Sequence, residues 1–123
     1  MSSLTAIQGT PLLATYGATK AFNLALAEGL HSELSPRGVD VLAVCAGATR
    51  TPGYLRSAAE GGAPGELEPR QVVEEALAQL GQRAFVIPGA FNRFASFLMR
   101  SLLPRTSTVK ILAQQARRLR LPP

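Results

Sequence analysis

The sequence is poor in the residues that staple or metallate small proteins. It has one cysteine, Cys45, and one histidine, His31. A lone cysteine excludes an internal disulfide, and one Cys with one His falls short of a protein-only zinc cage. No metal site is expected. Long apolar runs are missing as well. The greasiest stretch, FNRFASFLMRSLL, is interrupted by Arg93 and Arg100, and a bilayer span needs ~20 predominantly apolar residues. The start has no basic end followed by an apolar core, so no secretory signal is read there. The expectation is a cytoplasmic protein, with the periphery of a membrane as the alternative.

Acidic charge is also scarce. Thirteen Lys and Arg against eight Asp and Glu give a net charge of +5. Such a balance suits an anionic partner: nucleic acid, a membrane surface or a phosphate-bearing cofactor. A chain that is 46% hydrophobic and only 17% charged is not a disordered one. At 123 residues it has room for one modest domain and not two.

Residues 1–13 read as a loop, punctuated by Gly9, Thr10 and Pro11. Residues 14–34 read as a helix, with Phe22, Leu26, Leu30 and Leu34 as its expected buried stripe. Pro36 and Gly38 end it. VDVLAVCA, residues 39–46, is β-branched and apolar enough for a strand covered on both faces. A loop over 47–68 follows, with a helical turn near 54–59. EPRQVVEEALAQLG is a second helix, opened by Pro69 and closed by Gly81, with Val73, Ala76, Leu77 and Leu80 inward. AFVIPG, residues 84–89, is a second strand, and two basic amphipathic helices at 90–102 and 107–120 flank Pro104. Alternation of this kind predicts parallel β/α units. Two strands are fewer than the roughly six of a doubly wound sheet, so the unit reads as incomplete.

Tyr16 and Lys20 stand four apart at the start of the first helix and so share a face. An ammonium close to a phenol stabilises the phenolate, and such a phenol can trade a proton with an alcohol or alkoxide. Gly17 and Ala18 leave room for a flat ligand. The spacing recurs by chance in many helices, so its surroundings matter more. Ser3 precedes Tyr16, and CAGATRTPG follows the next strand.

With those neighbours the sequence resembles the C-terminal half of the short-chain dehydrogenase/reductase family. The likeness rests on SS, GTP, YGATKAF and AGATRT; it is close over residues 2–54 and looser through EPRQVVEEAL and AFVIPG. It implies a Rossmann-type doubly wound parallel sheet, hydride exchange between NAD or NADP and a small carbonyl or alcohol substrate, and these roles. Tyr16 is the general acid/base. Lys20 assists it and binds the nicotinamide ribose. Ser3, favoured over Ser2 by spacing, holds the substrate carbonyl. Gly47 lets the backbone approach the cofactor, and Thr49 or Thr51 meets its phosphate and carboxamide region. The apolar surroundings of residues 52–68 lean toward a hydrophobic substrate.

The sequence departs from the family in three ways. Ala46 stands where the family usually has proline, no Gly-x-x-x-Gly-x-Gly follows a strand, and neither Asn23 nor Asn92 sits where the family's active-site asparagine would. Residues 1–123 are thus expected to be a single partial domain: a catalytic segment over 1–54, a substrate-side helix and last strand over 55–89, and basic helices over 90–123. The dinucleotide-binding half is expected upstream, and the isolated chain is expected to be inactive. NAD and NADP are not distinguishable, because the ribose-reading residue belongs to that half.

Plainer assignments cover the rest. His31 is expected at the helix edge, Cys45 as a small buried hydrophobe, and Glu66, Glu68, Glu74 and Glu75 as solvated carboxylates. The stripe Phe91, Phe94, Leu98 and Leu102, with Phe97 beside it, either packs on the core or lies at a membrane interface. The competing class is a non-catalytic module that pairs into a homodimer through residues 14–34 or meets a membrane through 90–120. Nucleic acid is not expected, since no aromatic–basic platform is present.

Overall fold

The computed structural model describes residues 1–58 and 62–102, together with 104, 107 and 109. It comprises β1 (Ser2–Ser3), a 3-10 turn (Leu4–Ala6), α1 (Ala14–Leu34), a second 3-10 turn (Ser35–Arg37), β2 (Ala43–Ala46), α2 (Pro52–Ser57), α3 (Pro69–Gln79), β3 (Phe85–Val86) and α4 (Ala90–Leu102). The three strands pair in parallel, in the order β1-β2-β3. This is the expected α/β architecture, with helices flanking a parallel sheet. The helix expected at 107–120 lies almost wholly outside the described residues.

The sheet has one strand more than the sequence showed. Ser2 and Ser3 pair with Cys45 and Ala46. Two serines carry no apolar alternation, so their strand is visible only through the partner that completes its hydrogen bonds. The register places Ser3 beside Ala46. The turn after β1 and the loop after β2 therefore leave the sheet side by side at its C-terminal edge, where open α/β sheets bind ligands.

Local chemistry sets the helix ends. Thr51 accepts a hydrogen bond from the Tyr54 N–H at 3.2 Å and caps α2, with Pro52 next. In α3 the Glu68 and Gln71 side chains cap each other's backbone, and Pro69 opens the first turn. Gly38 after α1 is left-handed, with φ 73°.

The core is small: Val44, Val72 and Val86, flanked by Leu42, Ala46, Leu67 and Ala76. Cys45 is fully buried, and desolvation pushes its thiol up despite the opposing influence of the neighbouring Ser2 side chain. It behaves as the small hydrophobe expected.

Helix faces differ from the sequence reading. In α1, Leu30 and Leu34 lie inward but Phe22 and Leu26 are exposed, while Gly17 is buried and Ala21, Leu24 and Ala27 are half-buried. A spacing of four outruns the 3.6-residue turn, so the stripe winds around the helix and leaves the sheet. In α3 Ala76 packs on the core beside Val72, whereas Val73, Leu77 and Leu80 face out. In α4 the whole stripe of Phe91, Phe94, Phe97, Leu98 and Leu102 is exposed, and Asn92 and Ser96 are buried.

Polar links set these last two rotations. The Glu75 carboxylate accepts the Gly89 N–H at 3.1 and 3.2 Å and pairs with Arg93 at 2.7 Å, locking α3 to the start of α4. Of the glutamate pair read as solvated, Glu74 faces out and meets Arg70 at 2.6 Å, but Glu75 turns in.

Candidate active site at the strand ends

α1 is fastened to β1 at the level of Tyr16 and Lys20. The Ser2 hydroxyl donates to the Lys20 carbonyl at 2.8 Å. One turn earlier, a Cβ on Gly17 would stand 3.2 Å from the Thr5 carbonyl oxygen, so the helix lies close against the turn that follows Ser3. Ser2 is thereby committed to the backbone. Ser3, half-buried, accepts the Thr5 N–H at 3.2 Å and keeps its own O–H free to donate.

Tyr16 and Lys20 share a face, as their spacing requires. The Lys20 ammonium lies 5.4 Å from the Tyr16 ring centroid, within cation–π range, and donates to the Met1 carbonyl at 3.5 Å. Tyr16 is 46% exposed, and its hydroxyl has no hydrogen-bond partner among the described residues. A phenol and an ammonium on one open face, beside a serine at a strand end, can bind a polar ligand and exchange a proton with it.

Gly47, Thr49 and Thr51 occupy the neighbouring loop. A Cβ on Gly47 would stand 2.9 Å from the Asn92 amide nitrogen and 3.1 Å from a Leu4 methyl, so packing from below already demands glycine there. The Thr49 hydroxyl donates to the Gly47 carbonyl at 3.1 Å and has spent its proton. Thr51 accepts from Tyr54 and retains a proton to donate.

The loop is braced from the far side. Residues 49 and 67 form an isolated parallel bridge, in which Leu67 N–H donates to Ala48 O at 3.0 Å and Arg50 N–H to Leu67 O at 2.9 Å. Beyond it, the Tyr54 hydroxyl donates to Glu66 at 2.5 Å and the Ala63 N–H reaches the same carboxylate oxygen at 2.7 Å. These bonds, the Tyr54 one foremost, hold the Glu66 carboxyl below its ordinary value of 4.5, helped by Arg50. Desolvation, then the Glu66 carboxylate, pushes the Tyr54 phenol up. Glu66 is thus not the solvated carboxylate expected from sequence; of this pair Glu68, bonded to Arg50 at 3.1 Å, is the well-exposed one. A tyrosine twelve residues from a glutamate across a loop gives no periodic signal, and Asn92 hides behind the phenylalanines of its helix.

A separate groove of about 430 Å³ runs between β3 and α4, lined by Phe85, Ile87, Arg93, Ser96, Phe97 and Arg100 among others, and contains none of the site residues above. Among the described residues no group of His, Cys, Asp and Glu could hold a metal ion, and no helix is long and apolar enough to cross a membrane.

A parallel sheet with this polar cluster at its strand ends defines the class as Rossmann-type. Comparison with known proteins narrows it. The short chain dehydrogenase family pattern matches residues 1–60. The chain is 39% identical over 99 residues to the 7beta-hydroxysteroid dehydrogenase of Collinsella aerofaciens, covering 76% of this chain and 37% of that protein. It is 38% identical to the enzyme of the same name from Mediterraneibacter gnavus, with the same coverage. A solved structure concerned with 7beta-hydroxysteroid dehydrogenase stereoselectivity superposes with a TM-score of 0.80 at 32% identity, covering 90% of this chain and 43% of that one. Over residues 1–60 the chain carries the short-chain dehydrogenase pattern, and it spans little more than a third of the length of these curated relatives.

Proposed function

We propose that the chain carries the proton-transfer half of a nicotinamide-dependent oxidoreductase, one that interconverts a hydroxyl and a ketone on a hydrophobic, steroid-like substrate. The observation that carries this reading is the Tyr16–Lys20 pair, one open face with the ammonium 5.4 Å from the phenol ring. Tyr16 takes the hydroxyl proton in oxidation and returns it in reduction. Lys20 stabilises negative charge on the phenol oxygen as the proton leaves, and its remaining donors suit ribose hydroxyls. Ser3 donates to the substrate oxygen. Thr51, with its proton unspent, is the better donor to the cofactor, and Gly47 brings the loop backbone close. NAD or NADP, when bound, accepts or supplies the hydride.

The free phenol, the ammonium and the unspent hydroxyls fit the nicotinamide end of such a cofactor. Nothing in the sequence supplies a Gly-x-x-x-Gly-x-Gly turn for its pyrophosphate. Alone, the chain is therefore inactive in this reading. The test joins it to the N-terminal half of the Collinsella relative and measures NAD- and NADP-linked oxidation of a 7β-hydroxysteroid. Turnover only in the joined protein, abolished by Tyr16→Phe, is expected; turnover that survives Tyr16→Phe overturns the assignment.

A second reading is favoured by a different observation, the exposed phenylalanines of α4 beside Arg100. It makes the chain a non-catalytic module: α4 lies on an anionic membrane, or α1 pairs two copies through exposed Phe22 and Leu26. Flotation with anionic and neutral liposomes tests the first, and sedimentation tests the second. Both readings place the protein in the cytoplasm, the second at a membrane's edge.

A further inference from the structure

One side chain borders three glycines. Asn92, in the first turn of α4, is only 4% exposed. Its amide nitrogen donates to the Gly65 carbonyl at 3.0 Å and to the Pro88 carbonyl at 3.1 Å. A Cβ on Gly47 would stand 2.9 Å from that nitrogen, one on Gly89 3.2 Å from it, and one on Gly65 2.5 Å from the amide oxygen. The loop after β2, the segment before α3 and the turn into α4 thus converge on one amide, each presenting a residue without a side chain.

The chemistry is specific to an amide. A primary amide nitrogen carries two N–H donors, and here both are used on carbonyls from separate segments. A buried carbonyl left without a donor costs free energy, so neither segment can drift without loss. α4 is itself held from outside, where Glu75 grips the Gly89 N–H and the Arg93 guanidinium.

We propose that Asn92 is a positioning residue for the loop over residues 47–51. It acts in two ways: directly, by its contact with Gly47, and through Gly65, which lies two residues before the Leu67 bridge to Ala48 and Arg50. The significance for catalysis rests on the reading that this loop meets the nicotinamide end of the cofactor. The positioning itself does not depend on that reading.

Amide hydrogen exchange in the full 123-residue chain tests it. In Asn92→Ala, the Arg50 and Leu67 amides should exchange at least about tenfold faster, while amides in the middle of α1 keep their rates. Unchanged protection at Arg50 and Leu67 overturns the proposal. So does equal acceleration everywhere, which marks a residue that merely stabilises the fold. If Asn92→Ala does not fold, Gly47→Ala is read at the same two amides with the same criteria, since its Cβ displaces the loop from Asn92.

A kinetic arm separates this idea from the one beneath it. In the joined protein, Asn92→Ala should raise the dinucleotide KM on the order of tenfold and leave the KM of the alcohol unchanged. An unchanged dinucleotide KM in a working parent overturns the positioning role. A parent that never turns over sinks the proposed function, and the exchange result then decides Asn92 alone.

Discussion

The hydroxyl of Ser2 is bonded to the carbonyl of Lys20 at 2.8 Å, across eighteen residues of sequence. This bond helps fix where the helix stands relative to the strand, and it leaves the adjacent Ser3 hydroxyl for the role proposed for it. Ser2→Ala should therefore lower stability by ~1 kcal/mol in urea unfolding, with a small effect on rate. Ser3→Ala should do the reverse in the joined protein. Losing a donor to the substrate oxygen should cut kcat on the order of a hundredfold. A larger rate loss in Ser2→Ala than in Ser3→Ala would reverse the assignment.

Two glycines should respond to alanine with opposite signs. Gly29 lies inside α1, and a Cβ there meets nothing within 4 Å. Gly29→Ala should stabilise the chain by ~0.5–1 kcal/mol through helix propensity alone. Gly81 has φ 79°, and its Cβ would stand 3.1 Å from both Asp40 carboxylate oxygens. Gly81→Ala should destabilise by ~1–2 kcal/mol, since it combines left-handed strain with crowding. Urea midpoints of the two variants check both signs.

Acid should loosen the loop through Glu66. Its carboxyl is held below the ordinary 4.5 by the Tyr54 hydroxyl, the Ala63 N–H and Arg50. A depressed carboxyl adds stability above its unfolded value, and that stability is lost as pH falls through the lower folded value. Glu75 follows the same sign: desolvation raises it, but the Gly89 N–H and Arg93 outweigh that and leave it low. Stability should be flat from neutrality down to about pH 5 and fall below it. Glu66→Gln should make the acid slope shallower, as thermal melts across that range would show; an unaltered slope would exclude Glu66 from the acid response.

How much of this was legible in the sequence differs by element. α1 was readable to its ends, because Pro36 and Gly38 stop it and Tyr16, Lys20 and their neighbours carry a family pattern. α3 and α4 were equally plain as helices, yet their buried faces were not. Hydrophobic spacing predicts which residues could go inside, but here the Glu75 links and the Asn92 amide choose the rotation. β1 was invisible because two serines become a strand only beside Cys45 and Ala46. In the candidate site, local spacing marked Tyr16 with Lys20, whereas Asn92 and the Tyr54–Glu66 bond depend on residues brought together by the fold.

In the proposed function the Tyr16 phenol has chemistry to do and little structure to support, and that contrast gives the sharpest test. It is nearly half exposed, and its hydroxyl has no partner among the described residues. Tyr16→Phe keeps the ring under the Lys20 ammonium, so stability should stay within ~0.5 kcal/mol of the parent. Proton transfer has no substitute, and kcat in the joined protein should fall by roughly 10²–10⁴. Lys20→Met removes the charge and leaves the stem against the ring, so it too should lose rate far more than stability. If either variant unfolds in step with its loss of activity, the pair serves the fold and not the reaction, and the acid/base role must pass to another side chain.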